Sequence, residues 1–292
     1  GLGCEVGNLD DVLGGAEGDA LVIQQVGGTA ATIRAGIERV EACLEEANNV
    51  RRQPVPVSEL KLALQCGGSD GYSGVSVNAA LGVAVDLLVS HGGTAILSET
   101  TECYGAEHVL TRRAISRDVA EKFVARVKWW EEFAAKNGMK INNNPSPGNK
   151  AGGLTTIAEK SLGSIAKAGT TNLRAVYEYA EFVAEKGLVF MDAPAFDPVG
   201  ATAQVAGGAN IMCFTTGRGS AFGCKPVPSL KLASNTALYE RMRDDMDINC
   251  GTILDGQEVL EEAGERIFEE IIATASGKMT ASERLGYGDE EF

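Results

Sequence analysis

Carboxylates, a thiol and an arginine stand in short glycine-containing stretches of the sequence, and together they could support acid–base chemistry on a small anion. The groups occur at four places: Cys66 and Asp70, Glu99 and Glu102, Asp192, and Arg218. Carboxylates and a thiolate can hold a divalent cation, and a guanidinium can hold a carboxylate through two parallel hydrogen bonds. The set therefore suits a hydroxy acid. A base, either a carboxylate or Lys150, would remove the proton next to its carboxylate while a metal stabilises the resulting charge.

The stretch CGGSDGYSG at 66–74 is the most informative one. It follows an apolar run at 60–65 and precedes an apolar helical pattern at 75–90. A strand, a glycine-rich turn and a helix in this order place backbone N–H groups and a helix N-terminus around an anion. From position and chemistry we assign a metal region to Cys66, Asp70, Glu99 and Glu102. We assign catalysis to Lys150 as the base, with Glu99 and Arg218. We assign substrate binding to the following residues: Gly67, Gly68, Ser69, Gly148, Asn149, Thr216, Gly217 and Arg218.

Structural roles remain open for the same residues. Cys66 could be a buried structural thiol, and Asp70 could belong to the N-cap of the helix at 75–90. Glu99 and Glu102 could cap the next helix and complement its dipole. Arg218 could make a structural salt bridge.

The histidines and the remaining cysteines form no recognisable metal motif. His91 is predicted at a helix C-terminus and His108 on a helix surface, so a histidine-based zinc site is not expected. Cys213, Cys224 and Cys250 have no iron–sulfur spacing. The seven cysteines, an odd number without a CxxC pair, favour free thiols in a reducing compartment, by default the cytoplasm.

Apolar runs that alternate with helical patterns must position these groups. Strands are predicted at 60–65, 94–98, 187–191, 210–215 and 228–232. Helices are predicted at 75–90, 105–115, 117–137, 154–168, 235–243 and 257–276. This alternation predicts an α/β fold with a mostly parallel sheet and helices on both faces. The carboxyl ends of parallel strands share one edge, so the reactive stretches should converge there. No stretch has the full GxGxxG fingerprint, so neither a nicotinamide nor a flavin cofactor is expected.

The N-terminal part reads differently from the rest. A strand is predicted at 21–26 and a helix at 29–48, and a linker containing Pro54 and Pro56 spans 51–57. We place a domain boundary there. The first residues, GLGCEVGN, lack a Met, which indicates a piece of a longer polypeptide. A net charge of −14 argues against non-specific nucleic-acid binding, and no run of about 20 apolar residues predicts a membrane span.

Seven stretches, in this order, resemble the altronate/galactarate dehydratase family, which includes the large subunit of sulfolactate sulfo-lyase. They are GLGCE at 1–5, LQCGGSDGYSG at 64–74, SETTECYGAEHVLTRRA at 98–114, NPSPGNKAGGLTT at 144–156, EKSLG at 159–163, FTTGRGSAFG at 214–223 and DMDINCG at 245–251. The stretch YGAEH at 104–108 is not typical of galactarate dehydratases and favours the altronate and sulfolactate types.

The resemblance implies a Rossmann-like C-terminal domain with about seven strands and a divalent metal site. The metal would be Fe²⁺, with Mn²⁺, Mg²⁺ and Ca²⁺ as alternatives. The implied reaction removes water from a sugar acid such as altronate or galactarate to give a 2-keto-3-deoxy acid, and in the sulfo-lyase relative it releases sulfite instead.

The family organisation also implies partners. Residues 1–56 would end a truncated middle dimerisation domain and 57–292 would form the catalytic domain. A homodimer is therefore expected, together with an N-terminal β-clip domain or a separate small subunit. If the catalytic groups lie on that missing part, the chain is instead an anion-binding or assembly module.

Overall fold

The computed structural model describes residues 20–288. The chain divides into two compact units, with the division between Val55 and Pro56. The GLGCE stretch at 1–5 lies outside the described residues, and the assignment of residues 1–56 to a middle domain stays a prediction.

The first unit contains two helices, α1 (Ile23–Val26) and α2 (Thr29–Asn49). The helix predicted at 29–48 is confirmed, but the strand predicted at 21–26 is wrong. A single helical turn forms there instead, and Gly27 ends it in the left-handed conformation with φ 108°. The run LVIQQV has strand-like composition, but residues 20–55 of this unit contain no strand for it to pair with, and β propensity largely reflects packing against neighbouring strands.

The second unit is built on seven parallel strands. They are β1 (Lys61–Cys66), β2 (Thr94–Leu97), β3 (Leu173–Tyr177), β4 (Gly187–Met191), β5 (Ile211–Thr216), β6 (Ser229–Ala233) and β7 (Ile248–Asn249). Their order across the sheet is β3-β4-β2-β1-β5-β6-β7, and every pair is parallel. The predicted fold class is confirmed, and the five strands predicted from apolar runs are present to within one residue at each end. β3 and β7 were not predicted.

Helices cover both faces of this sheet. They are α3 (Val77–Ser90), α4 (Glu107–Thr111), α5 (Arg117–Lys136), α6 (Pro147–Ala151), α7 (Ile157–Ala166), α8 (Asp197–Ala206), α9 (Thr236–Arg241), α10 (Leu260–Ala275) and α11 (Ala281–Leu285). A 3₁₀ turn, Thr100–Cys103, follows β2. The helix predicted at 105–115 is shorter than expected, because only Glu107–Thr111 is helical.

The central strand β1 shows why the sheet needs two layers of helices. Leu62 and Leu64 belong to the apolar core that contains α3 and α10, whereas Ala63 belongs to the core on the other face with α8. A strand buried on both faces reads as a continuous apolar run, as β1 does. Within residues 20–288, no helix is both long and apolar enough to cross a membrane.

Candidate functional site

The predicted reactive groups meet at the carboxyl edge of the sheet. Cys66 is the last residue of β1, and Thr216 is the last residue of β5. Glu99 follows β2 by two residues, and Asp192 comes directly after β4. β1 lies between β2 and β5, where the order of the strands reverses, and such a reversal opens the crevice in which parallel sheets bind ligands.

Cys66, Glu99 and Glu102 form a buried cluster, which we call the Cys-Glu-Glu cluster. The Cys66 Sγ lies 3.4 Å from Oε2 and 3.7 Å from Oε1 of Glu99, and 3.6 Å from Oε2 of Glu102. One donor atom from each residue lies within 4.8 Å of the other two. Among the described residues, no other group of three such side chains is this close, and the cluster therefore includes three of the four residues assigned to a metal.

Two lysines neutralise the carboxylates of the cluster. Nζ of Lys167 lies 2.9 Å from the Cys66 Sγ and also pairs with Oε2 of Glu99. Nζ of Lys160 lies 2.8 Å from Oε1 of Glu102. Both lysines are buried, since Lys167 is 0% and Lys160 9% exposed. A buried ion pair of this kind is held in place because either charge alone would be costly to bury.

The protonation of these groups follows from burial and from their mutual charges. Burial, helped by the negative charge of Glu99, raises the pKa of Cys66 to about 12, so the thiol is neutral at physiological pH. Burial raises the pKa of Glu99, against the opposing effect of Lys167. Burial would lower the pKa of Lys167, but the neighbouring Cys66 and Glu99 outweigh it and raise that pKa, so the ammonium stays charged.

The backbone at Glu99 adopts a conformation that few side chains tolerate. Its φ is 67°, in the left-handed region, which costs a residue other than glycine about 1–3 kcal/mol. Glu99 stands at the N-terminus of the Thr100–Cys103 turn but makes no capping hydrogen bond with its side chain. The capping alternative therefore does not describe Glu99, whose carboxylate is directed into the Cys-Glu-Glu cluster.

A further carboxylate, that of Asp197, borders this cluster. Burial raises the pKa of Asp197 to about 7, with the negative charges of Glu99 and Glu102 as the next causes. The carboxylate packs against Gly67, where a Cβ would overlap it and would lie 2.5 Å from Cζ of Phe214. Gly67 is thus required as a glycine by close packing next to the cluster.

Asp70 lies in a different network. Its carboxylate accepts hydrogen bonds from Ser73 at 2.8 Å, from Ser234 at 2.9 Å and from Asn235 at 3.1 Å. The N-cap of α3 is Ser76, so Asp70 does not cap that helix. The structure does not bring Asp70 into the Cys-Glu-Glu cluster, and its assignment as a metal ligand stays a prediction.

The three glycine-rich loops assigned to substrate binding contact one another. The amide of Gly217 donates to the carbonyl of Gly68 at 3.1 Å, and the side chain of Asn149 donates to the carbonyl of Ser69 at 2.8 Å. Thr216 holds the bend after β5, because its Oγ1 accepts from the amide of Gly219 at 3.0 Å. These loops therefore form one continuous wall.

Arg218 projects from this wall. It is exposed, and a Cβ on Gly148 would lie 2.5 Å from its Cζ, so the guanidinium packs directly on that glycine. In the part of the chain that the structure describes, the guanidinium has neither a hydrogen-bond nor an ion-pair partner. Within residues 20–288 no carboxylate makes the salt bridge considered for Arg218, and its assignment to anion binding stays a prediction.

Lys150, the predicted base, is exposed on α6. Its side chain makes no hydrogen bond within residues 20–288, and the structure does not place it in the Cys-Glu-Glu cluster. His91 ends α3 as its C-cap residue, and His108 is exposed on α4, as predicted for both.

The donor set of the cluster fits a divalent metal once the Cys66 thiol has lost its proton, because the thiolate is the form that binds a metal. Each lysine pairs with one oxygen of a glutamate, which leaves Oε1 of Glu99 and Oε2 of Glu102 facing the Cys66 sulfur. Metal–ligand bonds of about 2.0–2.5 Å keep ligands within about 5 Å of one another, as these atoms are. One sulfur and two oxygens suit a borderline ion such as Fe²⁺ or Zn²⁺ better than Mg²⁺.

Sequence reasoning missed Lys160 and Lys167 because lysines in a helical pattern are usually exposed. A signal was nevertheless present. Lys160, Ser164 and Lys167 are spaced by four and three residues and so share one face of α7 and its C-cap. All three reach the site, and the Ser164 Oγ lies 3.8 Å from the Cys66 Sγ. A cavity of about 440 Å³ is lined in part by Lys160 and Asp70.

Comparison with known proteins extends these observations. The chain is 42% identical over 251 residues to a galactarate dehydratase (L-threo-forming) of Escherichia coli K12. The aligned region covers 86% of the chain and 48% of that protein. It is 38% identical to an altronate dehydratase of Bacillus subtilis 168, over 86% of the chain and 50% of that protein. It is 33% identical to the (2R)-sulfolactate sulfo-lyase subunit beta of Chromohalobacter salexigens, over 88% of the chain and 67% of that protein.

The chain thus spans about half the length of the two dehydratases. The YGAEH stretch favours the altronate type over the galactarate type. The overall identities, 42% to the galactarate dehydratase and 38% to the altronate dehydratase, do not support that preference. A family model described as D-galactarate/altronate dehydratase, C-terminal, matches residues 57–292. These residues contain the whole seven-stranded sheet, the Cys-Glu-Glu cluster and the loop of Arg218, and the chain therefore belongs to the D-galactarate/altronate dehydratase family.

Proposed function

We propose that the chain carries the catalytic domain of a metal-dependent lyase that removes water from a sugar acid such as galactarate or altronate. The observation that carries the proposal is the Cys-Glu-Glu cluster with its two lysines at the carboxyl edge of a parallel sheet. At the same edge stands Arg218, which has no ion-pair partner among residues 20–288. The names of the relatives supply the substrate class.

The residues of the chain divide the work as follows. Arg218, with the Gly148–Asn149 and Thr216–Gly217 backbones, would hold the carboxylate of the substrate. Cys66, Glu99 and Glu102 would hold the metal, with Fe²⁺ as the first choice. When bound, a divalent ion would supply Lewis-acid stabilisation of negative charge. Lys160 and Lys167 would keep the carboxylates of the site ionised and in place.

A base must take the proton next to the substrate carboxylate while the β-hydroxyl group leaves as water, after which the enol becomes a 2-keto-3-deoxy acid. Lys160 and Lys167 are poor bases because their pKa values are raised. Lys150 remains the base assigned from the sequence. Asp197 is the alternative that the site offers, because its pKa of about 7 suits proton transfer at neutral pH.

The test is turnover of galactarate and altronate by the chain with Fe²⁺ or Mn²⁺, followed through formation of the 2-keto-3-deoxy acid. Lys150→Ala and Arg218→Ala should each lower kcat/KM by at least tenfold. Near wild-type turnover in both variants would refute the assigned roles. If Asp197→Asn alone abolishes turnover, Asp197 replaces Lys150 as the base.

A second reaction is release of sulfite from sulfolactate, which the sulfo-lyase relative favours because the chain covers 67% of that subunit. Incubation with sulfolactate and direct measurement of sulfite separates the two reactions. The name of that relative, subunit beta, also supports a small partner subunit or an N-terminal domain as a further requirement for activity.

We further propose that the protein is a cytoplasmic homodimer that pairs through α2. Four apolar side chains recur along this helix at the spacing of a coiled-coil seam, and all are about half exposed: Ile33, Ile37, Val40 and Leu44. Ile37→Glu should convert a dimer to a monomer in sedimentation, whereas the neighbouring Glu38→Gln should not. Five of the described cysteines are free thiols, namely Cys43, Cys66, Cys103, Cys213 and Cys250, which agrees with a reducing compartment.

A further inference from the structure

A chain of hydrogen bonds joins the surface helix α5 to the Thr100–Cys103 turn, which contains Glu102 and directly follows Glu99. The indole Nε1 of Trp130 donates to Oδ1 of Asp192 at 2.8 Å. The hydroxyl of Thr100 donates to the same oxygen at 2.5 Å. Asp192 is 8% exposed and Thr100 is fully buried, so the hydrogen bond between them is shielded from water and contributes more than an exposed one would. The hydrogen bond from Trp130 is partly buried.

Thr100 is also fixed through its backbone. Its amide donates to the carbonyl of Ala193 at 2.9 Å, and its Oγ1 accepts from the amide of Ala193 at 3.2 Å. Thr100 therefore makes three hydrogen bonds with the segment after β4, two with the backbone of Ala193 and one with the carboxylate of Asp192.

These hydrogen bonds matter because Thr100 directly follows Glu99, whose backbone conformation is unfavourable. Glu99 has a φ of 67°, and a side chain stays in that conformation only where its surroundings enforce it. On one side Glu99 follows β2, whose Leu97 is paired with both β1 and β4. On the other side Glu99 is bonded to Thr100, which is itself tied to Ala193 and Asp192. The carbonyl of Glu99 also accepts from the amide of Glu102 at 2.8 Å, and its carboxylate pairs with Lys167. Thr100 is thus the anchor of the Glu99 backbone on this side. Release of Thr100 would let Glu99 relax and move its carboxylate away from Cys66 and Lys167.

We propose that Trp130 and Asp192 are positioning residues, which act through Thr100 to hold Glu99 and Glu102 in the geometry that binds the metal. The inference rests on the proposed metal site. Trp130 touches none of the three ligands, and it acts by fixing the orientation of the Asp192 carboxylate that receives the Thr100 hydroxyl. Loss of a hydrogen-bond partner of a metal ligand typically changes metal affinity by about 10–100-fold, and for residues one step further from the ligands we expect the lower end of that range.

The experiment compares Trp130→Phe with Trp129→Phe. Trp129 is the sequence neighbour, 47% exposed, and it stacks on Phe133 without reaching Asp192. Thr100→Val is the second test variant, because it removes the hydroxyl at nearly constant size and leaves both tryptophans intact. Binding of Mn²⁺ is measured by calorimetry, and amide hydrogen exchange is followed in the segment 98–104.

Trp130→Phe and Thr100→Val should raise the Kd for Mn²⁺ about tenfold and speed exchange in 98–104 at least tenfold, while exchange in β5 is unchanged. Trp129→Phe should stay within twofold of wild type in both measurements. Equal exchange in 98–104 for Trp130→Phe and Trp129→Phe would overturn the inference. If wild type binds no Mn²⁺, the proposed metal site fails, and exchange in 98–104 alone then decides whether Trp130 positions the turn.

Discussion

The contact between Gly148 and Arg218 allows ligand binding to be separated from stability. In Gly148→Ala the new methyl group would lie 2.5 Å from Cζ and 2.8 Å from Nη2 of Arg218. Carbon contacts are favourable near about 3.5–4.0 Å, so the guanidinium must move by about 1 Å. A charge-assisted hydrogen bond of about 2.8 Å does not survive that shift.

The magnitude follows from the bonds that are lost. Hydrogen bonds to charged groups contribute about 1.5–3 kcal/mol, and about 1.4 kcal/mol is a factor of ten in affinity. The Kd for galactarate or altronate should therefore rise about 10–100-fold. Folding should be unharmed, because an exposed side chain can move and because Ala favours the helix α6 over Gly by about 0.5–1 kcal/mol.

The assay is calorimetric titration of wild type, Gly148→Ala, Arg218→Ala and the double variant with each sugar acid, with urea unfolding in parallel. Since Gly148→Ala acts through Arg218, the double variant should bind within twofold of Arg218→Ala. Two results would refute the reasoning: wild-type affinity in Gly148→Ala, or a further loss of affinity when it is added to Arg218→Ala.

Three further predictions concern the buried titratable groups. Lys167→Met should lower the free energy of unfolding, measured in urea, by about 3–5 kcal/mol, because it leaves Glu99 buried without its partner. Adding Glu99→Gln to Lys167→Met should recover at least half of that loss. No recovery would contradict the pairing of Lys167 with Glu99. Cys66, with its pKa near 12, should resist iodoacetamide at pH 8 while the exposed Cys43 reacts, as read by peptide mass spectrometry; equal labelling would refute the burial of the neutral thiol. Burial lowers the pKa of Lys231 from 10.5 to about 8, so the unfolded chain binds more protons between these values and stability should rise with pH. Between pH 7 and pH 10 the free energy of unfolding of wild type should therefore rise by up to about 3 kcal/mol relative to that of Lys231→Met. A difference in unfolding free energy that does not change with pH would argue against a lowered pKa for Lys231.

The sequence predicted the edge of the sheet better than the groups that complete the site. Cys66 and Glu99 could be placed together because both follow apolar strands, and the ends of parallel strands converge. Lys160 and Lys167 could not, because a lysine on a helix becomes buried only when a carboxylate on another element receives it. That pairing is a property of the tertiary structure.

The errors in the fold have similar causes. β3 was missed because it is an edge strand in which Arg174 is exposed, so it lacks the apolar run that identified the central strands. β7 has two residues, too few for any pattern. The left-handed backbone at Glu99 had no signal either, because the residue type that usually marks such a position is glycine.

The strand order places the groups proposed to bind a metal and the group proposed to bind the substrate carboxylate on opposite sides of β1. The carboxylates near the Cys-Glu-Glu cluster follow β2 and β4 on one side of β1, whereas Arg218 follows β5 on the other side. An acid whose carboxylate pairs with Arg218 would therefore extend across β1, with its other end toward the Cys-Glu-Glu cluster. Substitutions in the loop after β5 can change which acid is held without disturbing the groups after β2, so the two ends of the site can evolve independently on one scaffold.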